Sequence, residues 1–168
     1  ILKAIANLSI LTSLQQSIMN FGILMVQGLV NSFGTVVMAG FAAAVKIDSF
    51  AYMPVQDFGN AFSTFIAQNY GAGKKDRIKE GIRKSLVSVL IFCLVISGLV
   101  FGFSDKLMEI FIDKSNVEVI KVGVDYLRIV SLFYFGIGLL FMFYGFYRAV
   151  NKPRMSIVLT VISLGTRV

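Results

Sequence analysis

The stretch "AIANLSILTSLQQSIMNFGILMVQGLVNSFGTVVMAGFAAAV", Ala4 to Val45, carries no charged residue in 42 positions. As one helix it would reach about 63 Å at ~1.5 Å per residue, twice the ~30 Å hydrocarbon core of a bilayer. It must therefore hold one crossing, a turn and the start of a second crossing. Asn31-Ser32-Phe33-Gly34-Thr35 supplies the turn, because its small and polar residues accept the backbone angles that a helix refuses.

Composition extends this reading to the whole chain. Of 168 residues, 57% are hydrophobic and 15% charged, against ~25% charged in soluble domains. The mean hydropathy is +0.80. Fifteen glycines and an aromatic share of 13% suit membrane helices and their interfaces. The fold class is therefore all-α, a polytopic membrane helix bundle. With no His and one cysteine, Cys93, inside an apolar run, the chain offers no disulfide framework, no zinc site and no Cys/His pair. Catalytic residues and a metal centre are not expected. The net charge of +7 does not point to nucleic acid, since the basic residues lie between apolar runs and form no soluble patch.

The crossings fall at about residues 8–32, 38–70, 85–104 and 122–147, and a fifth begins at 154 and runs to 168. Pro54 predicts a kink in the second. The third is the charge-free run Ser85 to Ser104, 20 residues. Residues 105–121 mix acids and lysines with Leu107, Ile110 and Phe111, which predicts a short interfacial helix. Ser115-Asn116-Val117-Glu118 has the spacing of a capping box before the fourth crossing. Pro153 suits the first position of the last helix, where its missing N–H costs nothing.

Between the second and third crossings lies "QNYGAGKKDRIKEG", Gln68 to Gly81. Two glycines before a lysine resemble a phosphate loop, but one residue separates Gly71 from Gly73 and Lys75 follows Lys74 where magnesium chemistry needs Ser or Thr. The better reading is a helix terminus followed by a basic loop, rising through Ile78, Ile82 and Leu86 as an amphipathic turn. The basic loops 74–84 and 148–154 are two crossings apart. They share a side with Lys3, and the positive-inside rule makes that side the cytoplasm.

Several residues are candidates for function. Gln16, Asn20, Gln27 and Asn31 share one face of the first crossing, where lipid would penalise unpaired amides. They either bond neighbouring helices or line a substrate cavity. Asp57 is the one acid deep inside a crossing, and is either a cation-coupling site or a structural hydrogen-bonding acid. The fourth crossing is rich in rings, including Tyr134 and Tyr144, which can hold organic cations or simply pack. Gly136, Gly138 and Gly145 on it are expected to permit close helix approach.

The segment "KIDSFAYMPVQDFGNAFSTFIAQNYGAGKKDRI", with Gln15-Gln16-Ser17-Ile18-Met19-Asn20 and Val30-Asn31-Ser32-Phe33-Gly34 before it and "YRAVNKP" after the aromatic crossing, closely resembles the multidrug and toxic compound extrusion (MATE) family. That resemblance implies half of a twelve-helix, two-lobe transporter: helices seven to ten and part of eleven, with the N-terminal lobe of the same protein as partner. It implies no enzyme and no cofactor, but Na⁺ or H⁺ as coupling ion, small organic cations as cargo, and the cell membrane as location. The alternatives are a lipid or lipid-linked oligosaccharide flippase of the same architecture, or a non-transporting membrane assembly subunit whose polar face binds partner helices. Some members bind the cation through acids on helices seven and ten, and this chain has no deep acid there, so Asp57 on helix eight is a local substitute outside the family's pattern. The pair Lys46 and Asp48 recurs in the family, and mutual compensation of opposite charges is its expected role.

Overall fold

The computed structural model describes residues 2–165, and within them six helices and no strand. They are α1 (Leu2–Asn31), α2 (Thr35–Gly71), α3 (Lys75–Phe111), α4 (Val117–Ser131), α5 (Tyr134–Ala149) and α6 (Pro153–Gly165). Three are long and apolar enough to cross a membrane, and α4 with α5 passes the same test as one bent span. The chain is a multi-pass membrane protein. Its outer surface agrees: Phe50 is 71% exposed and Ile110 72%, a state that water penalises and lipid does not.

The connections follow from local chemistry. After Asn31 the chain turns at Gly34, whose φ of 95° is open to glycine. At the end of α2 the amide of Lys74 bonds the carbonyl of Asn69 at 2.9 Å and that of Gly73 the carbonyl of Tyr70 at 3.1 Å, with Gly73 at φ 69°. This is a Schellman terminus, and "GAGK" is the sequence that makes it. The same motif closes α5, where Lys152 bonds Tyr147 at 2.8 Å, Asn151 bonds Arg148 at 3.2 Å, and Asn151 takes φ 58°.

α2 is the hub. Its buried residues include Gly40, Ala43, Ala44, Ile47, Ala51, Val55, Gly59, Phe62 and Ile66, a stripe at three- and four-residue steps that packs against α3, α4 and α5. The small residues on that stripe let backbones meet. A Cβ on Gly145 would stand 2.5 Å from the carbonyl oxygen of Gly59, and one on Gly40 2.7 Å from that of Val119. Gly138 likewise has no room, facing Cys93 Sγ and Val89 at 2.7 Å. Gly136 has open space around it, so it takes no part in close packing. Cys93 is buried in this core.

Three boundaries differ from the sequence reading. The third crossing is longer: α3 runs unbroken from Lys75 to Phe111, about 55 Å for its 37 residues, and no separate interfacial helix forms over 105–121. The buried series Val89, Cys93, Val100, Ser104 and Met108 keeps four- and seven-residue steps past the first charge, so packing carries the helix on. It stops at Ile112, which turns extended, and Asp113 accepts the amide of Ser115 at 2.8 Å. The predicted capping box does not form for the same reason. Ser115 is held in that turn, and α4 starts behind Asn116 with no side-chain cap.

The fourth crossing, expected as one helix over 122–147, is broken at Leu132 and Phe133 with a bend of 56°. A contact from α3 meets the chain at the break. Ser97 Oγ donates to the carbonyl of Ser131 at 2.6 Å, the group that Phe135 would use in a continuous helix. Tighter bonds from Phe133 to Val130 and from Gly136 to Phe133, both 2.9 Å, carry the chain round.

Candidate functional site

A cavity of about 250 Å³ opens between α1, α2 and α5. From α1 it is lined by Thr12, Gln15, Gln16 and Met19, one face at three- and four-residue spacing. From α2 come Gln56, Gly59 and Asn60, where the missing side chain of Gly59 lets α5 close the floor. From α5 come Phe141, Tyr144 and Arg148. Arg148 is the one charged residue of the lining. It is half-buried, and its Nη1 reaches Asn60 Oδ1 at 3.4 Å, a long contact that leaves most of the guanidinium's five N–H groups for other acceptors.

The rings of the floor are engaged with one another. Phe141 meets Tyr144 edge-on at 6.2 Å and lies stacked near Tyr52 at 6.3 Å. Thr160 Oγ1 on α6 stands 3.0 Å from the Tyr144 hydroxyl and 2.9 Å from the carbonyl of Ser156, which ties α6 to the floor.

Of the sequence candidates, Gln16 and Tyr144 meet in this cavity. Asn20, Gln27 and Asn31 are exposed on α1, none of whose residues from Ser9 onward is buried, and they do not line it. Tyr134 lies elsewhere, 4% exposed, beside a void of about 10 Å³ lined by Ala51, Val55, Cys93 and Ile137 among others. Asp57 is exposed on the side of α2 opposite the buried stripe.

The acid inside the bundle is Asp48, 9% exposed. Its carboxylate interacts with the phenol of Tyr134, with no strict hydrogen bond at the Tyr134 oxygen. Lys46, two residues away and so ~200° round the helix, is exposed. The two charges therefore lie on different sides of α2. In the last turn of α4, just before the break, Arg128 reaches α3, with Nη2 2.9 Å from Asp105 Oδ2 and Nε 3.2 Å from Ser104 Oγ. No group of three His, Cys, Asp or Glu converges among the described residues.

Arg148, Asn60 and Gln56 were not read as site residues from sequence. Arg148 was visible only as a topology marker, and the two amides carry a signal: Gln56 and Asn60 are one helical turn apart around Gly59.

Comparison with known proteins agrees with this architecture. The MatE family model matches residues 9–168. A probable multidrug resistance protein, YpnP, of Bacillus subtilis is 31% identical over 95% of this chain and 35% of its own length. A second probable multidrug resistance protein, NorM of Thermotoga maritima, is 23% identical over 98% of the chain and 35% of its own length. A FAD transporter of Shewanella oneidensis is 25% identical over 76% and 28%. The chain thus spans about a third of the length of these relatives. The match over almost the whole chain, on a bundle of apolar helices with a polar cavity, means that this chain belongs to the MatE family.

Proposed function

We propose that this chain is the second lobe of a secondary transporter of the cell membrane that exports organic, often cationic, drugs in exchange for Na⁺ or H⁺. The observation that carries the reading is the set of polar residues exposed on α1 and α2, amides and one acid, in a bundle whose exposed surface is largely apolar. Amides in a membrane helix are retained where they meet protein, water or cargo. The exposed amides Asn20, Gln27 and Asn31 on α1 and the exposed Asp57 on α2 form the surface that would meet an N-terminal lobe across a central, alternately opened space. The relatives named as multidrug resistance proteins support drug export, and the one named as a FAD transporter extends the cargo to a nucleotide. The basic loops 74–84 and 148–154 lie on the cytoplasmic side in this reading, with the bent pair α4–α5 counted as one crossing.

Coupling needs a group whose ion occupancy differs between the inward and outward states. Asp57, exposed in mid-helix, is the group this chain offers to the central space, and its ordinary partner would be a proton or Na⁺ during the cycle. The test is uptake by the full-length protein in proteoliposomes under imposed Na⁺ or H⁺ gradients, with ethidium as cargo. Gradient-driven movement is expected, and Asp57→Asn is expected to uncouple it. No gradient-driven movement of the dye, or movement of labelled lipid alone, would replace the exporter with a flippase or a non-transporting subunit.

A further inference from the structure

Two arginines stand on the bent span, and they are provided for differently. Arg128 has a carboxylate at 2.9 Å, a hydroxyl at 3.2 Å and the ring of Phe101 at 6.0 Å. Arg148, half-buried in the cavity wall, has one amide oxygen at 3.4 Å and, among the described residues, no carboxylate within ion-pair distance. α1 and α5 contain no acid at all, and the two acids of α2, Asp48 and Asp57, do not line the cavity. The remaining polar lining is neutral: the carboxamides of Gln15, Gln16, Gln56 and Asn60 and the hydroxyls of Thr12 and Tyr144, groups that can donate to an anion held by the guanidinium. A fixed cation ringed by neutral donors repels an organic cation and attracts an oxyanion.

We propose that this cavity is a subsite for the phosphate or carboxylate of an otherwise apolar ligand, held by Arg148 and the surrounding amides. Its volume of about 250 Å³ suits the charged head of a ligand and lies below the ~300 to 1,000 Å³ of pockets that enclose a whole drug-sized molecule. The body of the ligand then extends past α1 into the central space. The inference rests on the export reading for its physiological use only. The site itself is a matter of binding, and two sources fit its chemistry: the headgroup of an anionic lipid and a soluble organic anion.

The experiment uses the full-length protein in nanodiscs of phosphatidylcholine, where no gradient exists, with 1-naphthyl phosphate and 1-naphthol as probes that differ in the phosphate alone. Binding is read by equilibrium dialysis against empty discs. The phosphate is expected to bind at least about tenfold more tightly, the size of one charge-assisted hydrogen bond. Arg148→Gln should erase that preference, Arg148→Lys should keep part of it, and Arg154→Gln, outside the cavity, should keep all of it. Replacing phosphatidylcholine by phosphatidylglycerol displaces the probe if the natural occupant is a lipid headgroup and leaves it bound if it is a soluble anion. Equal binding of the two probes to the wild-type protein overturns the proposal without any variant. So does an equal loss of preference in Arg154→Gln, which would make it an effect of general positive charge. Failure of gradient-driven uptake, by contrast, sinks the exporter and leaves the subsite standing.

Discussion

The two halves of the bent span each carry one arginine in their last turn and satisfy it in different ways. In α4, Arg128 lies along α3 and spends its donors on Asp105 and Ser104. In α5, Arg148 faces a cavity and spends one donor on a long bond to Asn60. The first arrangement contributes to the fold. The second keeps a charge in a half-buried place with little internal compensation, which folding alone does not favour. The difference teaches that the α3–α4 side spends its charge on packing, while the α1–α2–α5 side leaves a guanidinium open to the occupant proposed above.

The largest effect should come from closing the backbone contact that seats α5 on α2. In Gly145→Val the new side chain meets the Gly59 carbonyl, an atom that cannot swing aside. The expected cost is more than ~2 kcal/mol, at the upper end of overpacking, with loss of the cavity floor. Gly136→Ala, nine residues earlier with open space around it, should be neutral or slightly stabilising. Thermal unfolding of both variants of the full-length protein checks the pair, and equal shifts would mean that the close approach does not govern packing here.

Next in size is the break between the halves. Ser97→Ala removes the donor to the Ser131 carbonyl, and the expected loss is about 1–2 kcal/mol, the range for a polar contact between membrane helices. Hydrogen exchange should slow at Phe135 if the freed carbonyl draws α4 and α5 toward one continuous helix. Unchanged exchange there would show that the bend is set by other contacts.

The bend also marks the limit of what could be read from sequence. The turns at Gly34, Gly73 and Asn151 were legible because a positive φ is a local demand that a local residue answers. The bend was not, because the contact that meets the chain there comes from a residue 34 positions away on another helix. The length of α3 was misread because Asp105 and Lys106 looked like an interface, while the buried stripe to Met108 decides by packing. At the site, Gln16 and Tyr144 were named from their residue types. Asn20, Gln27 and Tyr134 have the same chemistry and lie outside the cavity, which only the rotation of each helix about its axis decides. Asp48 was set aside as half of a charge pair, yet it is the acid that the bundle buries.

The arginines themselves give the next comparison. Arg128→Gln should destabilise by up to ~1 kcal/mol, because its ion pair is partly exposed. Arg148→Gln should leave stability unchanged or raise it, since it removes a half-buried charge that has no carboxylate partner among the described residues. Opposite signs in thermal unfolding support the division of labour. A clear loss in Arg148→Gln would make that arginine a structural residue like its counterpart.

The smallest effect lies at the turn that feeds α4. The amide of Ser115 bonds the Asp113 carboxylate at 2.8 Å and holds its pKa below the usual value of 3.8. A carboxyl depressed in the folded state stabilises above its unfolded pKa, and the contribution is lost as pH falls through the folded one. The turn should therefore hold down to about pH 4 and loosen below it. Asp113 is fully exposed, so the change should be confined to the turn and leave the bundle's unfolding temperature unmoved. A carboxyl-carbon NMR titration of Asp113 checks the sign, and a midpoint at or above the ordinary aspartate value would mean that the turn does not hold Ser115 through that charge.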